Sequence, residues 1–345
     1  MVEHPLLSIQ KEVDHSLWKT CFYKQIESYR QTLKKLALLS STSKKPREHS
    51  NRSENQTNVL LMQTSMEFET YLSQAESFYI LLMRELEDKA LLVSTPEPHF
   101  QRCIHSCLLY LGDIARYQQL SNEMKNWTIA QRYYERASFL CPHLGSSYNQ
   151  LAVLASYEQA DCVAVYYYSR CLLLSIFPSL QSTSQDEQDH QQRPDITRAR
   201  DNLIILFAKN KTEFNDLDLS AVARARHMAA REGDKKLRVQ RVSTFLVVFV
   251  RLQSIFFAPQ LNKEGTKEKS VSCDVFELIS KMAPVVLGEY DSLLQASAFS
   301  ELLLLRMLII CIASVHLCRD KEAASGERTI LESFALTMFF QWIKM

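Results

Sequence analysis

Arg116 and Tyr117 stand side by side in "LGDIARYQQL", residues 111–120, just after a Gly-Asp step in an otherwise apolar helical pattern. A guanidinium can grip a phosphate through two parallel charge-assisted hydrogen bonds, and an adjacent phenol adds a donor. Each charged hydrogen bond contributes about 1.5–3 kcal/mol, so the pair is equipped to hold an oxyanion. Other chemistry-bearing residues are dispersed. A nuclease needs clustered carboxylates for divalent metal and a hydrolase needs a nucleophile beside a base. The chain contains no G-x-S-x-G, Walker A, H-E-x-x-H or G-x-G-x-x-G pattern, and its acids fall singly or beside basic residues. In the densest Cys/His group the i, i+4 spacing puts Cys103 and Cys107 on one helical face and turns His105 elsewhere, which argues against zinc. The expectation is a binding protein with no catalytic residue, metal or cofactor.

The elements that must carry this pair read as helices. The 345 residues are 46% hydrophobic with only 6 glycines and 9 prolines, a supply of turn residues too small for many short strands. An all-α fold follows. Formal net charge is +1, so any electrostatic binding must be local. The nine cysteines sit mostly within apolar runs and no secretory signal pattern precedes them, as expected of reduced thiols in a cytoplasmic protein that can shuttle to the nucleus. Two segments are apolar enough to suggest a membrane, "VSTFLVVFVRLQSIFFA" from Val242 and "FSELLLLRMLIICIASVHLC" from Phe299. Arg251 in the first, and Glu301, Arg306 and His316 in the second, would be costly in lipid, so both are expected to be buried bundle helices.

Apolar residues at helical spacing, including Leu17, Phe22, Ile26, Leu33 and Leu36, predict a helix near 5–40. A polar loop is expected over 40–58, then a helix over 58–92 with Phe68, Leu72, Ala75, Phe78, Tyr79, Leu82 and Leu86 on one face. Pro96 and Pro98 precede the third helix. From Asn126 the spacing fits the roughly 34-residue tetratricopeptide unit: Ala130, Tyr134, Ala137 and Pro142 fall at its small, aromatic, small and proline positions. A second unit starting at Gly145 places Tyr148, Leu151, Ala152, Ala164 and Tyr168 likewise, small residues admitting close helix approach and the aromatic filling the groove. Tyr133, Tyr134, Tyr166, Tyr167 and Tyr168 are read mainly as core. A second loop is expected over 178–195, followed by helices over 196–209, 217–231, 235–257, 272–294, 298–319 and 326–344. The last helix runs to the terminus without a polar cap, as in a truncated chain.

"HSCLLYLGDIARYQ", "AQRYYERASFLCPHLGSSYNQLAVLASY" and "AVYYYSRCLLL", with "LWKTCFYKQIESYR" and "ELLLLRMLIICIASVHL", resemble the SMG and Est (ever shorter telomeres) family, the 14-3-3-like factors of nonsense-mediated mRNA decay and their telomerase-associated relatives. The resemblance implies a 14-3-3-like domain over 1–215, with tetratricopeptide-like hairpins at about 103–176, followed by a helical-hairpin domain over 216–345. It implies an adaptor that binds phosphoserine or phosphothreonine on the up-frameshift RNA helicase and recruits decay or dephosphorylation factors. The arginine of the family's "ARY" element falls on Arg116, with Tyr117 beside it. Tyr23 stands where some members carry a phosphate-binding lysine. Lys19 and Arg30 share its helical face, Lys24 is adjacent but turned by about 100°, and Arg30 is the first choice of substitute cation. Asn149 in "YNQLA" is placed to hold a peptide backbone as an asparagine does in 14-3-3 grooves.

Two alternatives stand beside this reading. Between Arg193 and Arg241 there are 12 Lys/Arg against 7 Asp/Glu, an excess of 5 that could neutralise nucleic-acid phosphates in a telomerase-associated factor. A scaffold that pairs with another family member without reading phosphopeptides is the other. Nuclease activity is not carried over, because no room remains here for the C-terminal nuclease domain of some relatives.

Overall fold

The computed structural model describes residues 3–42, 51–92, 98–120, 124–176, 185–219, 235–261, 273–318 and 326–344, and every regular element among them is helical. The all-α expectation is borne out. The chain divides into two compact units, Met1–Pro142 and His143–Met345, each with its own hydrophobic core.

The first unit begins with three helical pieces where the periodicity predicts one helix. α1 (Pro5–Gln10) ends at a turn where Glu12 takes a left-handed conformation, φ 47°. α2 (Val13–Leu17) then runs through a π-helical stretch, Trp18–Tyr23, into α3 (Lys24–Thr42). The wider turn has visible partners. Trp18 is buried and stacks on Tyr110 with centroids 4.7 Å apart, and Tyr71 donates its hydroxyl hydrogen to the Cys21 carbonyl at 2.6 Å. Tertiary packing of aromatics thus overrides the α-helical period here.

α4 (Asn51–Leu92) begins earlier than predicted, so the loop expected at 40–58 is helical at both ends, and residues 43–50 lie outside the described residues. Its buried face holds Phe68, Leu72, Ala75, Tyr79 and Leu86 as predicted, while Phe78 is exposed. α5 (Pro98–Leu120) and α6 (Thr128–Leu140) complete the unit as a packed pair. Gly112 explains their close approach. A Cβ there would lie 2.3 Å from Cε1 of Tyr134, whose ring is fully buried.

The second unit comprises α7 (Gly145–Tyr157), α8 (Asp161–Ile176), α9 (Gln185–Asn215), α10 (Lys235–Leu261), α11 (Cys273–Gln295), α12 (Glu301–Cys318) and α13 (Gly326–Lys344). Ala152 and Ala164, the predicted small positions of α7 and α8, are buried, as is Tyr168. A Cβ on Gly145 would meet Cys171 Sγ at 2.8 Å, the same device as at Gly112. α9 starts at Gln185, inside the predicted loop 178–195. Its opening residues are polar but include Gln, Glu and Arg, which are good helix formers, so polar composition does not exclude a helix there. The helix expected over 217–231 lies almost wholly outside the described residues, as do 220–234 of the basic run Arg193–Arg241.

Among the described residues one helix, Lys236–Ala258, is long and apolar enough to cross a membrane by length and composition. It packs within the core of the unit, with Phe245, Phe249, Leu252 and Phe256 buried. Its buried Gln253 accepts a hydrogen bond from Ser314 of α12 and donates to Cys311 Sγ at 3.8 Å. Gln253 and Ser314, one from each apolar segment, therefore partner each other inside the bundle, as the bundle reading expects.

Candidate phosphate-binding site

Arg116 and Tyr117 lie near the C-terminal end of α5, where α6 and α3 frame them. Arg116 retains only 8% exposure. Its Nη2 donates to Asp113 Oδ1 at 2.8 Å and its Nε to the Tyr134 hydroxyl at 3.4 Å, while that hydroxyl donates to the same Asp113 oxygen at 2.7 Å. Asp113 and Tyr134, neither singled out in the sequence as site residues, close a buried triangle around the guanidinium. The i, i+3 spacing in "GDIAR" could have exposed the first partner. The second was read only as core. Burial is the largest influence and opposes the Arg116 charge, but Asp113, Tyr134 and Tyr117 together outweigh it, and the guanidinium is held above its ordinary range.

Tyr117 is also buried, 4% exposed, and lies between two cations. The Arg116 guanidinium carbon is 4.6 Å from its ring centroid and that of Arg30, from α3, is 5.2 Å away. Burial and then Asp113 push the phenol up to about 12, so it remains a neutral hydrogen-bond donor at physiological pH. Arg30 is the accessible member. Its side chain is 37% exposed and pairs with Glu27 at 2.8 Å.

The structure thus brings Arg30, Arg116 and Tyr117 together, and Arg116 faces inward to Asp113 where a phosphate grip would have it face solvent. Lys19 and Lys24 are exposed and have no ion-pair partner among the described residues. Lys19 lies within the π turn that ends at Tyr23, so the −4 spacing read from an ideal α-helix does not stack it over Tyr23. Asn149 belongs to the second unit. It is buried and donates Nδ2 to the Asp195 carbonyl at 2.7 Å, tying α7 to α9, while its Oδ1 is sealed without a partner.

A protein-family model described as the Est1 DNA/RNA binding domain matches residues 130–184 and 192–345, and one described as telomerase activating protein Est1 matches 12–101. The nonsense-mediated mRNA decay factor SMG7 of Arabidopsis thaliana is 26% identical, covering 95% of this chain and 32% of its own length. The telomerase-binding protein EST1A of Danio rerio is 28% identical, covering 68% of this chain and 14% of its own. The chain therefore spans about a third or less of these relatives. Among solved structures, the one titled "Crystal structure of Est1 and Cdc13" aligns with a TM-score of 0.53 at 15% identity, over 98% of this chain and 64% of that one, a likeness of fold.

Proposed function

The chain belongs to the SMG/Est1 family of nonsense-mediated mRNA decay factors and telomerase-associated relatives, and from that premise we propose that its first unit is a phosphoserine- and phosphothreonine-dependent adaptor module of mRNA decay. Its phosphorylated partner is the up-frameshift RNA helicase. It acts in the cytoplasm, without catalysis, by recruiting decay or dephosphorylation factors, and pairing with another family member is compatible with this role.

The observation that supports this reading is the convergence of Arg30 and Arg116 on Tyr117. Glu27 holds Arg30 through a partly exposed pair, and such pairs contribute only about 0–1 kcal/mol. A phosphate with nearly two negative charges, offering bidentate geometry, competes effectively for that guanidinium. Arg116, anchored by Asp113, positions Tyr117, and Tyr117 in turn orients Arg30. Arg30 therefore makes the direct contact and Arg116 is a positioning residue.

Fluorescence-anisotropy titration of fluorescein-labelled serine peptides from the helicase tests this. Arg30→Ala should weaken the phosphorylated peptide at least about tenfold, the loss expected for one charged hydrogen bond or more. Unchanged affinity in a folded Arg30→Ala protein would remove Arg30 from the site.

A second reading is favoured by the family-model match over 130–184 and 192–345, whose description names DNA and RNA. On it, the second unit contacts nucleic acid, with the steep salt dependence that phosphate neutralisation brings.

A further inference from the structure

Arg170 and Arg306 of the second unit have no carboxylate partner among the described residues and share one aromatic row. Arg170 of α8 lies over the Tyr148 ring of α7, its guanidinium carbon 4.2 Å from the centroid. It donates from Nη2 to the Tyr148 hydroxyl at 2.8 Å and from Nη1 to the Tyr166 hydroxyl at 3.3 Å. Arg306 of α12 approaches the same aromatic row, 5.7 Å from the Tyr166 centroid and 5.9 Å from that of Tyr167. Both guanidinium carbons thus lie within 6 Å of the centre of one ring, since Arg170 is 5.9 Å from the Tyr166 centroid.

Arg251 of the same unit also lacks an acid among the described residues and bonds Ser254 at 3.0 Å, whereas two other inward-facing arginines are ion-paired. Arg116 has Asp113, and Arg241 has Glu289 at 2.8 Å. Among the described residues no acid lies within ion-pair distance of Arg170 or Arg306, and Asp161 at the start of α8 is held by Lys209 at 3.3 Å. Arg306 Nε is buried and unpartnered. Two half-buried cations beside one tyrosine ring repel each other, and an anion within reach of both would relieve that repulsion and supply acceptors.

We propose that Arg170 and Arg306 form a centre that holds the backbone phosphate of single-stranded nucleic acid. The proposal rests on the second reading above and gives it a site, since all five residues fall within the matched segments. Two cations at one tyrosine ring fit one or two phosphates better than they fit a duplex, which engages a long basic stripe. The half-buried Tyr167, adjoining Arg306, adds an aromatic side chain of the kind on which unpaired bases stack. A peptide is less well served, because the buried amide of Asn149 on α7 is spent on the Asp195 carbonyl.

The test is an anisotropy titration of the full chain with fluorescein-labelled single-stranded DNA and RNA oligonucleotides and the matching duplex, at several salt concentrations. Arg306→Gln should weaken single-strand binding about tenfold or more and lower the salt slope by about one, while Arg170→Lys keeps charge but loses the fork and should fall in between. The exposed control Lys281→Gln should bind like the parent, and circular dichroism melts should confirm that each variant is folded. Parent-like binding by folded Arg306→Gln and Arg170→Lys overturns the site and leaves the nucleic-acid reading standing. Absence of binding by the parent at low salt overturns both. Loss of phosphorylated-peptide binding in Arg306→Gln, with oligonucleotide binding intact, overturns the nucleic-acid assignment.

Discussion

Asp113 and Arg116 form a buried ion pair one turn apart on α5, 2.8 Å between Oδ1 and Nη2, and the Tyr134 hydroxyl bonds to both members. This triangle fixes the end of α5 against α6 and holds Tyr117 where Arg30 can reach it.

Removing one member should cost more than the pair contributes. Asp113→Ala leaves a buried guanidinium uncompensated and is predicted to lower unfolding free energy by about 3–5 kcal/mol. Urea unfolding followed by circular dichroism measures this. In the double variant Asp113→Leu with Arg116→Met, which buries no charge, much of that stability should return.

Gly112→Ala offers a sharper packing test. In an open helix the change would stabilise by about 1 kcal/mol. Here the new Cβ collides with the buried Tyr134 ring at 2.3 Å, so destabilisation of about 1–3 kcal/mol is predicted. A raised thermal midpoint would show that α5 and α6 do not approach so closely.

The second unit should respond to pH through Asp195. Burial pushes this carboxyl from 3.8 up to about 6, with Arg198 at 3.4 Å only partly opposing the shift. The folded state then holds the proton more tightly than the unfolded chain. The group's contribution is full below about pH 4 and is lost as pH rises through 6. Asp195→Asn should leave the Asn149 bond to the 195 carbonyl intact and make the protein more stable relative to the parent at pH 7 than at pH 4.5, by about 2 kcal/mol. Urea midpoints of both proteins at the two pH values read out that difference.

Much of the architecture was legible because apolar spacing carries it. The buried face of α4, the small residues of α7 and α8 and the bounds of α11 and α12 all follow from periodicity. The π turn at Trp18–Tyr23 was not, because it exists to insert Trp18 beside Tyr110, 92 residues away along the chain, and no local count contains that contact. The start of α9 was missed because polar composition resembles a loop. At the site, the Arg116–Tyr117 pair was visible, and the i, i+3 spacing to Asp113 was there to be read, though Asp113 was not singled out as its partner. The inward turn of Arg116 was not visible, since it depends on Tyr134 arriving from α6. The Arg170 contact with Tyr148 spans 22 residues and two helices, and its chemistry appears only after folding.

The most direct measurement of the central claim is the ratio of affinities of the full chain for a phosphoserine peptide of the helicase and its unphosphorylated twin, by isothermal titration calorimetry at pH 7.5 and 5.5. A phosphate reader predicts a ratio well above ten at pH 7.5 that shrinks at 5.5, where the phosphate, with its second pKa near about 6, loses much of its second charge. Equal affinity for the two peptides at pH 7.5, with the protein shown to be folded, would contradict the adaptor reading.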